Sequence, residues 1–562
     1  MTDPIWQLQF GASVREGGSV EFRVWAPKVS TMAVRILGEN PRTIPMIGTP
    51  ESEFVVTFPN LGEGTDYFYV LDGEHGGGKE RPDPVSRWQP QGVHGPSRVV
   101  DPRSFRWSDQ KWSGIPLKDF IIYELHIGTF TPEGTFESAI PRLAYLRDLG
   151  ITAVEIMPVA EFPGNRNWGY DGASLYPPQS SYGGPVGLKK LVDACHQRGL
   201  AVVMDVVYNH LGPEGNYLPE YAPCFTDAYH TPWGKAINFD GPQSDGVRGW
   251  VIDNALYWLA EYHADALRLD AIHGIYDYGA YHILAELSET FQRQAQRLNR
   301  QAWIIAESDL EDVRIINPRP AGGYAVDAQW HDDFHHALYA YLTGAREGFL
   351  MDFGVLADLA KSIRDGFVLD RRYSRYRQRR YGSSSKDRPG EQFVGFIQNH
   401  DQVANTSRGK RLSSLVSPGQ QKVAAVLTLC SPFLPLLFMG EEYGETSPFL
   451  FFTSFEDPNL VAAVREGRKR ELGPHYSESD FADPHALTTF ERSKLDWSKP
   501  SLSPHTEILS LYRDLIALRK RHACLRNCRK DLTEMRFDEE AKFLVMKRSD
   551  PSGSGSLLVF NF

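Results

Sequence analysis

Residues 191–210 read LVDACHQRGLAVVMDVVYNH, and this stretch carries the pattern that decides the fold. Its first part has apolar residues at helical spacing, and Gly199 supplies the stop that often follows a helix. Residues 201–207 then have the length and composition of a buried strand, which ends in Asn209 and His210. A helix followed by a buried strand with a polar end is the unit from which parallel α/β sheets are built.

Eight such strand–helix units lie between residues 106 and 522. The predicted strands are 120–125, 151–157, 201–207, 266–270, 302–306, 325–329, 393–398 and 434–439. This count predicts an α/β fold of the (β/α)8 TIM-barrel type, whose active sites lie on loops at the carboxyl ends of the strands. The alternative is a doubly wound open sheet. That fold usually has a glycine-rich phosphate turn, and the sequence contains neither G-x-G-x-x-G nor a Walker A motif.

Short alternating apolar runs flank the barrel and predict two β-modules. Residues 1–105, with runs such as 20–25 and 32–36 between turn residues, predict an Ig-like β-sandwich, which we interpret as a structural module. Residues 523–562 predict a small C-terminal β domain with strands at 542–546 and 556–562. Because the chain ends on an apolar strand, we expect this domain to be truncated or unusually small.

Length, charge and cysteine content limit the class of protein. The 562 residues exceed what one core usually supports and predict several domains. The net charge of −11 disfavours nucleic acid or an anionic membrane as a partner. The five cysteines are scattered without CxxC spacing, which predicts reduced thiols, and neither a signal peptide nor a membrane-spanning run is evident. We therefore expect a cytoplasmic protein.

Polar side chains cluster where the predicted barrel strands end. A lone carboxylate at such a point is more often a helix cap or part of a loop ion pair, but several at one barrel mouth indicate catalysis. Arg268 and Asp270 lie two residues apart on one strand and so share a face. The residues at these strand ends are Asp205, Asn209, His210, Arg268, Asp270, Glu307, His400 and Asp401.

Cleavage of a glycosidic bond requires two carboxyl groups in different protonation states. Asp270 and Glu307 end neighbouring strands, which lie about 4.8 Å apart, close to the carboxyl separation of about 5 to 5.5 Å in retaining enzymes. Arg268 should keep Asp270 ionised, whereas Glu307 needs burial or a negative neighbour such as Asp401 to keep its proton. We therefore predict a retaining glycoside hydrolase, in which Asp401 also binds sugar hydroxyls more tightly in the transition state.

Histidines and aromatic residues near these strand ends suit a sugar substrate. His210 and His400 can hydrogen-bond hydroxyl groups, although each alone would more often be structural or metal-binding. A second histidine one helical turn away is lacking, so the spacing does not predict zinc. Tyr170, in the run Trp168-Gly-Tyr170-Asp171, is the strongest candidate for stacking on a sugar. No calcium loop is evident, and we predict no metal or cofactor.

Four short motifs resemble those of the α-amylase family of glycoside hydrolases. They are DVVYNH (205–210), LRLDAIH (267–273), IIAES (304–308) and FIQNHD (396–401), in the family's order. The resemblance covers nearly the whole chain and implies that Asp270 is the nucleophile, Glu307 the acid/base and Asp401 the transition-state stabiliser. It also implies that Arg268, His210, His400, Asp205 and Tyr170 bind or support the sugar at the cleavage point, to which we add Asn209 and Trp168 as candidates.

Longer stretches resemble a trehalose-releasing branch of this family. They include NHLGPEGNYL (209–218), AESDLEDVRI (306–315), the basic run GFVLDRRYSRYRQRRYG (366–382), and FMGEEYGETSPFLFFTSFEDPNLVAAVREGRKREL (438–472). This resemblance implies hydrolysis of the α-1,4 bond beside a terminal trehalosyl unit. The implied substrate is maltooligosyltrehalose, made by a maltooligosyltrehalose synthase. One departure follows Asp401, where the family pattern has Gly and then Asn-Arg but this sequence has Val403-Ala404-Asn405-Thr406.

Three alternatives share some of these features. A 1,4-α-glucan branching enzyme would pass the glycosyl group to a sugar hydroxyl, and an isoamylase-type debranching enzyme would cleave α-1,6 bonds. A glucan-binding protein without activity is the alternative from another class. It is disfavoured because such a protein would not need Asp270, Glu307 and Asp401 together.

Overall fold

In the computed structural model, described for residues 5–15, 17–73, 78–472 and 481–562, the chain forms a closed parallel barrel with a β-module at each end. This arrangement confirms the predicted TIM-barrel fold class with additional β-modules.

The N-terminal module is a sandwich of two antiparallel sheets. Its strands are β1 (Gly11–Arg15), β2 (Ser19–Trp25), β3 (Met32–Ile36), β4 (Arg42–Pro45), β5 (Ile47–Gly48), β6 (Glu53–Pro59), β7 (Asp66–Leu71), β8 (Lys79–Arg81) and β9 (Ser97–Arg98). One sheet has the order β1-β2-β6-β5, and the other has β4-β3-β7-β8 with β9 also paired to β7. Along β2, the buried Val20, Phe22 and Val24 alternate with more exposed residues, so the period-two pattern provides the apolar face of that sheet.

Eight parallel strands form the barrel. The strands of this part of the chain are β10 (Ile122–Leu125), β11 (Ala153–Ile156), β12 (Ala160–Glu161), β13 (Ser174–Pro178), β14 (Ala201–Val206), β15 (Phe225–Thr231), β16 (Gly234–Ile237), β17 (Ala266–Leu269), β18 (Trp303–Ala306), β19 (Ala328–Trp330), β20 (Arg372–Ser374), β21 (Arg379–Tyr381), β22 (Phe393–Gly395) and β23 (Leu434–Phe438). The barrel order is β10-β11-β14-β17-β18-β19-β22-β23, closed by pairing of β23 with β10. The other strands form the hairpins β12-β13, β15-β16 and β20-β21.

Helices connect the strands. They are α1 (Ile127–Phe130), α2 (Phe136–Ala139), α3 (Leu143–Leu149), α4 (Gly184–His196), α5 (Leu218–Tyr221), α6 (Ser244–Glu261), α7 (Ile283–Arg297), α8 (Asp332–Thr343), α9 (Leu356–Asp365), α10 (His400–Ala404), α11 (Pro418–Cys430), α12 (Pro458–Leu472), α13 (Leu487–Arg492), α14 (His505–Arg521) and α15 (Ala523–Arg526). Within the described ranges, none of them is long and apolar enough to cross a membrane.

The sixth barrel strand begins later than the sequence predicts. The apolar residues from 325 onward indicate a strand, but Ala325 has a φ of 56°, which lies outside the extended region. Its amide donates to Asn317 O (3.0 Å), so the chain turns at this point. The strand β19 therefore starts at Ala328 and runs to Trp330.

The C-terminal module is a three-stranded antiparallel sheet. Its strands are β24 (Thr533–Asp538), β25 (Phe543–Ser549) and β26 (Gly555–Asn561), in that order. The sequence predicts the second and third strands but not β24, whose sequence TEMRFD has only one buried residue, Thr533. Arg548 of β25 anchors the sheet to the barrel, because its buried guanidinium donates to Cys430 O at 2.6 Å. The expectation that this domain is truncated or unusually small stays a prediction.

All five cysteines are buried free thiols. Burial raises the pKa of the Cys224 thiol to about 12 and that of Cys430 to about 11, which disfavours the reactive thiolate. The thiols therefore belong to the core, in line with their predicted reduced state.

Side chains inside the barrel change from apolar to charged toward the carboxyl ends of the strands. Residues two apart on a strand point to the same side. Four neighbouring strands therefore each present an apolar residue to the barrel interior and, two residues further along, a charged residue on the same side. The pairs, all at most 3% exposed, are Ile122 and Glu124, Ala153 and Glu155, Val203 and Asp205, and Ala266 and Arg268. This charged layer lies directly beneath the loops that follow the strands.

A buried ion network joins the segment before the barrel to the opposite end of the strands. Asp109 accepts hydrogen bonds from Nδ1 of His196 (2.8 Å), Nδ1 of His263 (2.7 Å) and Nη2 of Arg300 (2.9 Å). The other ring nitrogen of His196 lies 2.9 Å from Asp265. Burial alone would lower the pKa of His196, but the hydrogen bonds to both carboxylates outweigh it and raise the pKa. Hydrogen bonds from both ring nitrogens to carboxyl groups therefore favour the protonated form of His196.

Replacing His196 with Gln is expected to lower the free energy of unfolding near pH 6 by about 3–5 kcal/mol, because two buried carboxylates lose that cation. The folded-state pKa of His196 is raised, so its contribution is complete below the unfolded value of about 6.5 and is lost as the pH rises through the folded value. Guanidinium unfolding of both proteins should therefore show a smaller difference near pH 9 than near pH 6. The exposed His522 provides the control H522Q, and an equal difference at both pH values would contradict the charge argument.

Candidate active site

The polar residues at the carboxyl ends of β14, β17 and β18 meet as the sequence predicts. Asp205 lies opposite Arg268 in the register of β14 and β17, and Leu269 lies opposite Ala306 in that of β17 and β18. One residue further, the amide of Asp270 donates to Val206 O (3.0 Å) and the amide of Glu307 to Leu269 O (2.9 Å). Asp270 therefore comes directly after β17 and Glu307 directly after β18, and these adjacent strands lie about 4.8 Å apart.

Arg268 is the charged centre of the site and is 0% exposed. Its Nη1 lies 2.9 Å from both carboxylate oxygens of Asp205 and 3.0 Å from Oδ1 of Asp270. Its Nη2 lies 2.8 Å from Oε2 of Glu307. The guanidinium packs over the Trp330 ring, with its carbon 4.2 Å from the ring centroid. One cation thus binds three carboxyl groups and fixes their relative positions.

Asp270 is held as an anion. Nδ2 of Asn209 donates to Oδ2 of Asp270 at 2.7 Å and also to its backbone oxygen at 2.7 Å. Burial alone would raise the pKa of Asp270, but Arg268, His210 and the Asn209 hydrogen bond outweigh it and lower the pKa below its ordinary value. An ionised carboxylate with a fixed orientation is suited to nucleophilic attack.

Glu307 has the opposite electrostatic environment. Burial raises the pKa of Glu307 well above its ordinary value, Arg268 opposes that shift, and the negative charges of Asp270 and Asp401 add to it. Its Oε2 accepts a hydrogen bond from the Ala271 amide (2.7 Å). Two neighbouring carboxyl groups with pKa values displaced in opposite directions form the pattern of a nucleophile and a general acid.

Ala271 contacts the site through its backbone, which the sequence does not reveal. Its φ of 36° is left-handed and unusual for a residue with a side chain. This turn directly after Asp270 aims the Ala271 amide at Glu307 and so ties the loop after β17 to the carboxyl group on β18. Backbone strain of this kind is typical of functional sites.

Tyr170, His210 and His400 surround the ion cluster. The Tyr170 hydroxyl donates to Asp205 at 2.6 Å, and its ring stacks on His400 with centroids 5.0 Å apart. Nε2 of His210 donates to Tyr170 O at 2.9 Å. The indole of Trp233, which is 45% exposed, stacks on His210 with centroids 5.2 Å apart and offers an open aromatic face next to the site.

Glu124 on β10 is a further residue of the site that the sequence analysis does not single out. Its two oxygens bind the amide (3.0 Å) and Nδ1 (2.5 Å) of His400. Burial alone would lower the pKa of His400, but Glu124 outweighs it and raises the pKa. The feature of the sequence that could have indicated Glu124 is a charged residue within the apolar run of the first strand.

Trp168 is placed behind the site. It is 5% exposed, its Nε1 donates to Leu450 O (2.9 Å), and one face stacks on Phe449 with centroids 5.4 Å apart. Its ring also meets the edge of His400 at 5.5 Å. These contacts cover most of the ring and pack Trp168 against His400. The predicted part of Trp168 in binding the sugar stays a prediction.

Asp401 lies in the first turn of α10 and is half-buried. Nδ2 of Asn405 donates to its Oδ1 at 2.8 Å, and Oδ1 of Asn405 in turn accepts from Arg468 (2.8 Å). The departure from the family pattern at residues 403–406 therefore includes the residue that orients Asp401.

One group of potential metal ligands lies together within the described part of the chain. Ligand atoms of His94, Glu214 and Glu456 are within 4.8 Å of one another. The Glu214 carboxylate already accepts hydrogen bonds from the amides of Glu456 (2.9 Å) and Asp457 (3.0 Å). We assign no metal to this group.

Comparison with known proteins shows which family of enzymes this chain resembles. The family model described as alpha amylase, catalytic domain, matches residues 99–228. The malto-oligosyltrehalose trehalohydrolase of Saccharolobus solfataricus is 46% identical over 521 residues, which are 92% of this chain and 88% of that protein. The enzyme of the same name from Arthrobacter ramosus is 45% identical over 503 residues, or 89% and 87% of the two chains. Among solved structures, a putative α-amylase from Salmonella typhimurium has a TM-score of 0.91 at 39% identity, with 99% of this chain and 94% of that chain covered.

Proposed function

Since this chain belongs to the malto-oligosyltrehalose trehalohydrolases, within the α-amylase family of glycoside hydrolases, we propose that it hydrolyses the α-1,4 bond beside the terminal trehalosyl unit of maltooligosyltrehalose and releases trehalose. One observation carries the proposed chemistry. The buried guanidinium of Arg268 holds both Asp270 and Glu307, whose pKa values are displaced in opposite directions. The preceding enzyme would be the synthase that makes the trehalosyl end.

In the first step, a carboxylate oxygen of Asp270 attacks the anomeric carbon of the glucose unit before the trehalose. Glu307 gives its proton to the glycosidic oxygen as the bond to the leaving trehalose breaks. The maltooligosyl group is then bound covalently to Asp270. Arg268 supports this step because it keeps Asp270 ionised and orients Glu307 at the same time.

In the second step, the ionised Glu307 takes a proton from a water molecule. The water oxygen attacks the same anomeric carbon and displaces Asp270, so the configuration is inverted twice and the α anomer is retained. Asp401 would bind hydroxyl groups of the flattened ring in both transition states. His210, His400, Asn209, Tyr170 and Asp205 would bind or orient the sugar at the cleavage point.

Product analysis tests the proposed function. Incubated with maltopentaosyl trehalose, the enzyme is expected to release trehalose and maltopentaose, the latter first as its α anomer, and to act weakly on amylose and maltopentaose. Chromatography identifies the products, and proton NMR follows the anomer. New α-1,6 branches in amylose would instead indicate a branching enzyme, and cleavage of α-1,6 bonds a debranching enzyme. The absence of trehalose would contradict the proposal.

A further inference from the structure

Glu155 is a buried carboxyl group in the barrel that the proposed mechanism does not use. It lies on β11 and is 0% exposed. In the strand register it stands opposite Glu124 of β10 on one side and Val203 of β14 on the other. Such interior positions are usually filled by Val, Ile or Leu, so a carboxyl group at this place requires an explanation.

The neighbouring residues Glu124 and Glu155 differ sharply in their partners. Both oxygens of Glu124 bind His400, at 3.0 Å and 2.5 Å, and the raised pKa of His400 favours a positive imidazole beside this carboxyl group. Among the described residues, neither carboxyl oxygen of Glu155 has a hydrogen-bond partner. The first environment suits an anion, whereas the second does not.

The charges around Glu155 also disfavour an anion. The charged groups that face it are Glu124 on β10, Asp205 on β14, Arg268 on β17 and Glu307 on β18. Arg268 is the cation of this group, and it forms ion pairs with Asp205 and Asp270 through Nη1 and with Glu307 through Nη2. Its buried Nε has no hydrogen-bond partner among the described residues. A buried carboxylate without a bonded cation takes up a proton instead. Burial, together with the charges of Glu124 and Asp205, accordingly raises the pKa of Glu155 well above its ordinary value.

We propose that Glu155 carries a proton in the active enzyme and is a positioning residue that leaves the charge of Arg268 to the carboxylates of Asp205 and Asp270 and leaves its Nη2 to Glu307. In ionised form it would be a third carboxylate, beside Asp205 and Asp270, that competes for one guanidinium. A hydrocarbon side chain in its place would remove a dipole beside Asp205 and Arg268 and make their burial more costly. The inference rests on the proposed roles of Asp270 and Glu307.

Three variants test the positioning role. E155L is expected to lower kcat/KM near pH 7 by about tenfold or more, because the ion cluster loses its polar neighbour. E155Q, which has nearly the same shape and no charge, should restore most of that loss. E124Q is the matched contrast and should lose activity strongly, because it takes the anion away from His400.

The pH profile separates a proton-bearing Glu155 from an anionic one. If Glu155 is already uncharged, E155Q removes no charge, and the alkaline limb of kcat/KM stays at the wild-type position. A shift of that limb to lower pH in E155Q would mean that an anion had been supporting the proton of Glu307, and it would overturn the proposal. Equal losses in E155Q and E155L, or a loss in neither, would overturn the positioning role.

Infrared difference spectroscopy reads the protonation state independently of the substrate. The Glu307→Gln background removes a second carboxyl group of the site whose pKa is raised by burial. We subtract the spectrum of the double variant E155Q/E307Q from that of E307Q. Near pH 7 this difference should contain the carbonyl band of a protonated acid. The corresponding difference between E307Q and the double variant E124Q/E307Q should contain carboxylate bands. Carboxylate bands in the difference for Glu155 would overturn the proposal. Failure to release trehalose would contradict the proposed function and leave this spectral test intact.

Discussion

Replacing Asp270 with Asn is expected to lower kcat/KM on maltopentaosyl trehalose by on the order of 10⁴-fold or more, because the proposed nucleophile is removed. The surroundings of Asp270 are arranged for an anion, with Nη1 of Arg268 at 3.0 Å and Nδ2 of Asn209 at 2.7 Å. An amide keeps the shape of the side chain but does not form the covalent bond to the anomeric carbon. Trehalose release under conditions of low substrate concentration measures the loss.

The acid limb of the wild-type pH profile is the second readout for Asp270. The nucleophile must be ionised, and the net pKa of Asp270 is lowered because Arg268, His210 and Asn209 outweigh the effect of burial. Activity should therefore persist below the ordinary Asp value of about 3.9 as far as the fold allows, and be lost as Asp270 takes up a proton. The exposed Asp148 provides the control D148N, expected to stay within about twofold of wild type. Retention of about a hundredth of the activity or more in D270N would contradict the assignment.

The barrel could be predicted because its pattern is local. Gly150 and Gly199 follow helices α3 and α4 with φ values of 105° and 72°, which glycine adopts readily. The third, fourth, fifth and seventh apolar strand runs then end at polar residues. The start of the sixth strand was missed because Ala325 and Val326 are bonded to residues 317 and 315, a contact that no periodicity encodes.

The site could be predicted where polar residues follow a strand directly. Asp270 and Glu307 stand at the ends of apolar runs, and the strand register brings them together. Glu124 was missed because its partner His400 lies 276 residues away and reaches it only when the barrel closes. The orientation of Trp168 likewise depends on Leu450, which is 282 residues distant. Sequence patterns report local structure, whereas these contacts depend on closure of the whole barrel.

Replacing Glu307 with Gln is expected to lower kcat/KM on maltopentaosyl trehalose by about 10²- to 10⁴-fold, the usual contribution of general acid catalysis. The trehalose oxygen is a poor leaving group without a proton, and Gln has none to give. With α-maltosyl fluoride as the substrate, the rate of the first step in E307Q should fall much less, because fluoride departs without protonation. Trehalose and fluoride release, measured side by side, separate this role from a general loss of structure.

The pH dependence and the response to azide complete the test of Glu307. Burial and the charges of Asp270 and Asp401 raise the pKa of Glu307 against the effect of Arg268, which favours the protonated acid that the first step requires. Activity should fall as the pH rises through the pKa of Glu307, and E307Q should lack this alkaline limb. With the fluoride substrate, E307Q accumulates the glycosyl group on Asp270, because no base activates water. Azide, which needs no base, should then restore turnover and give the α-glycosyl azide, since it attacks from the face opposite Asp270. A β-glycosyl azide, or no rescue with the alkaline limb intact, would contradict the assignment of Glu307 as acid/base.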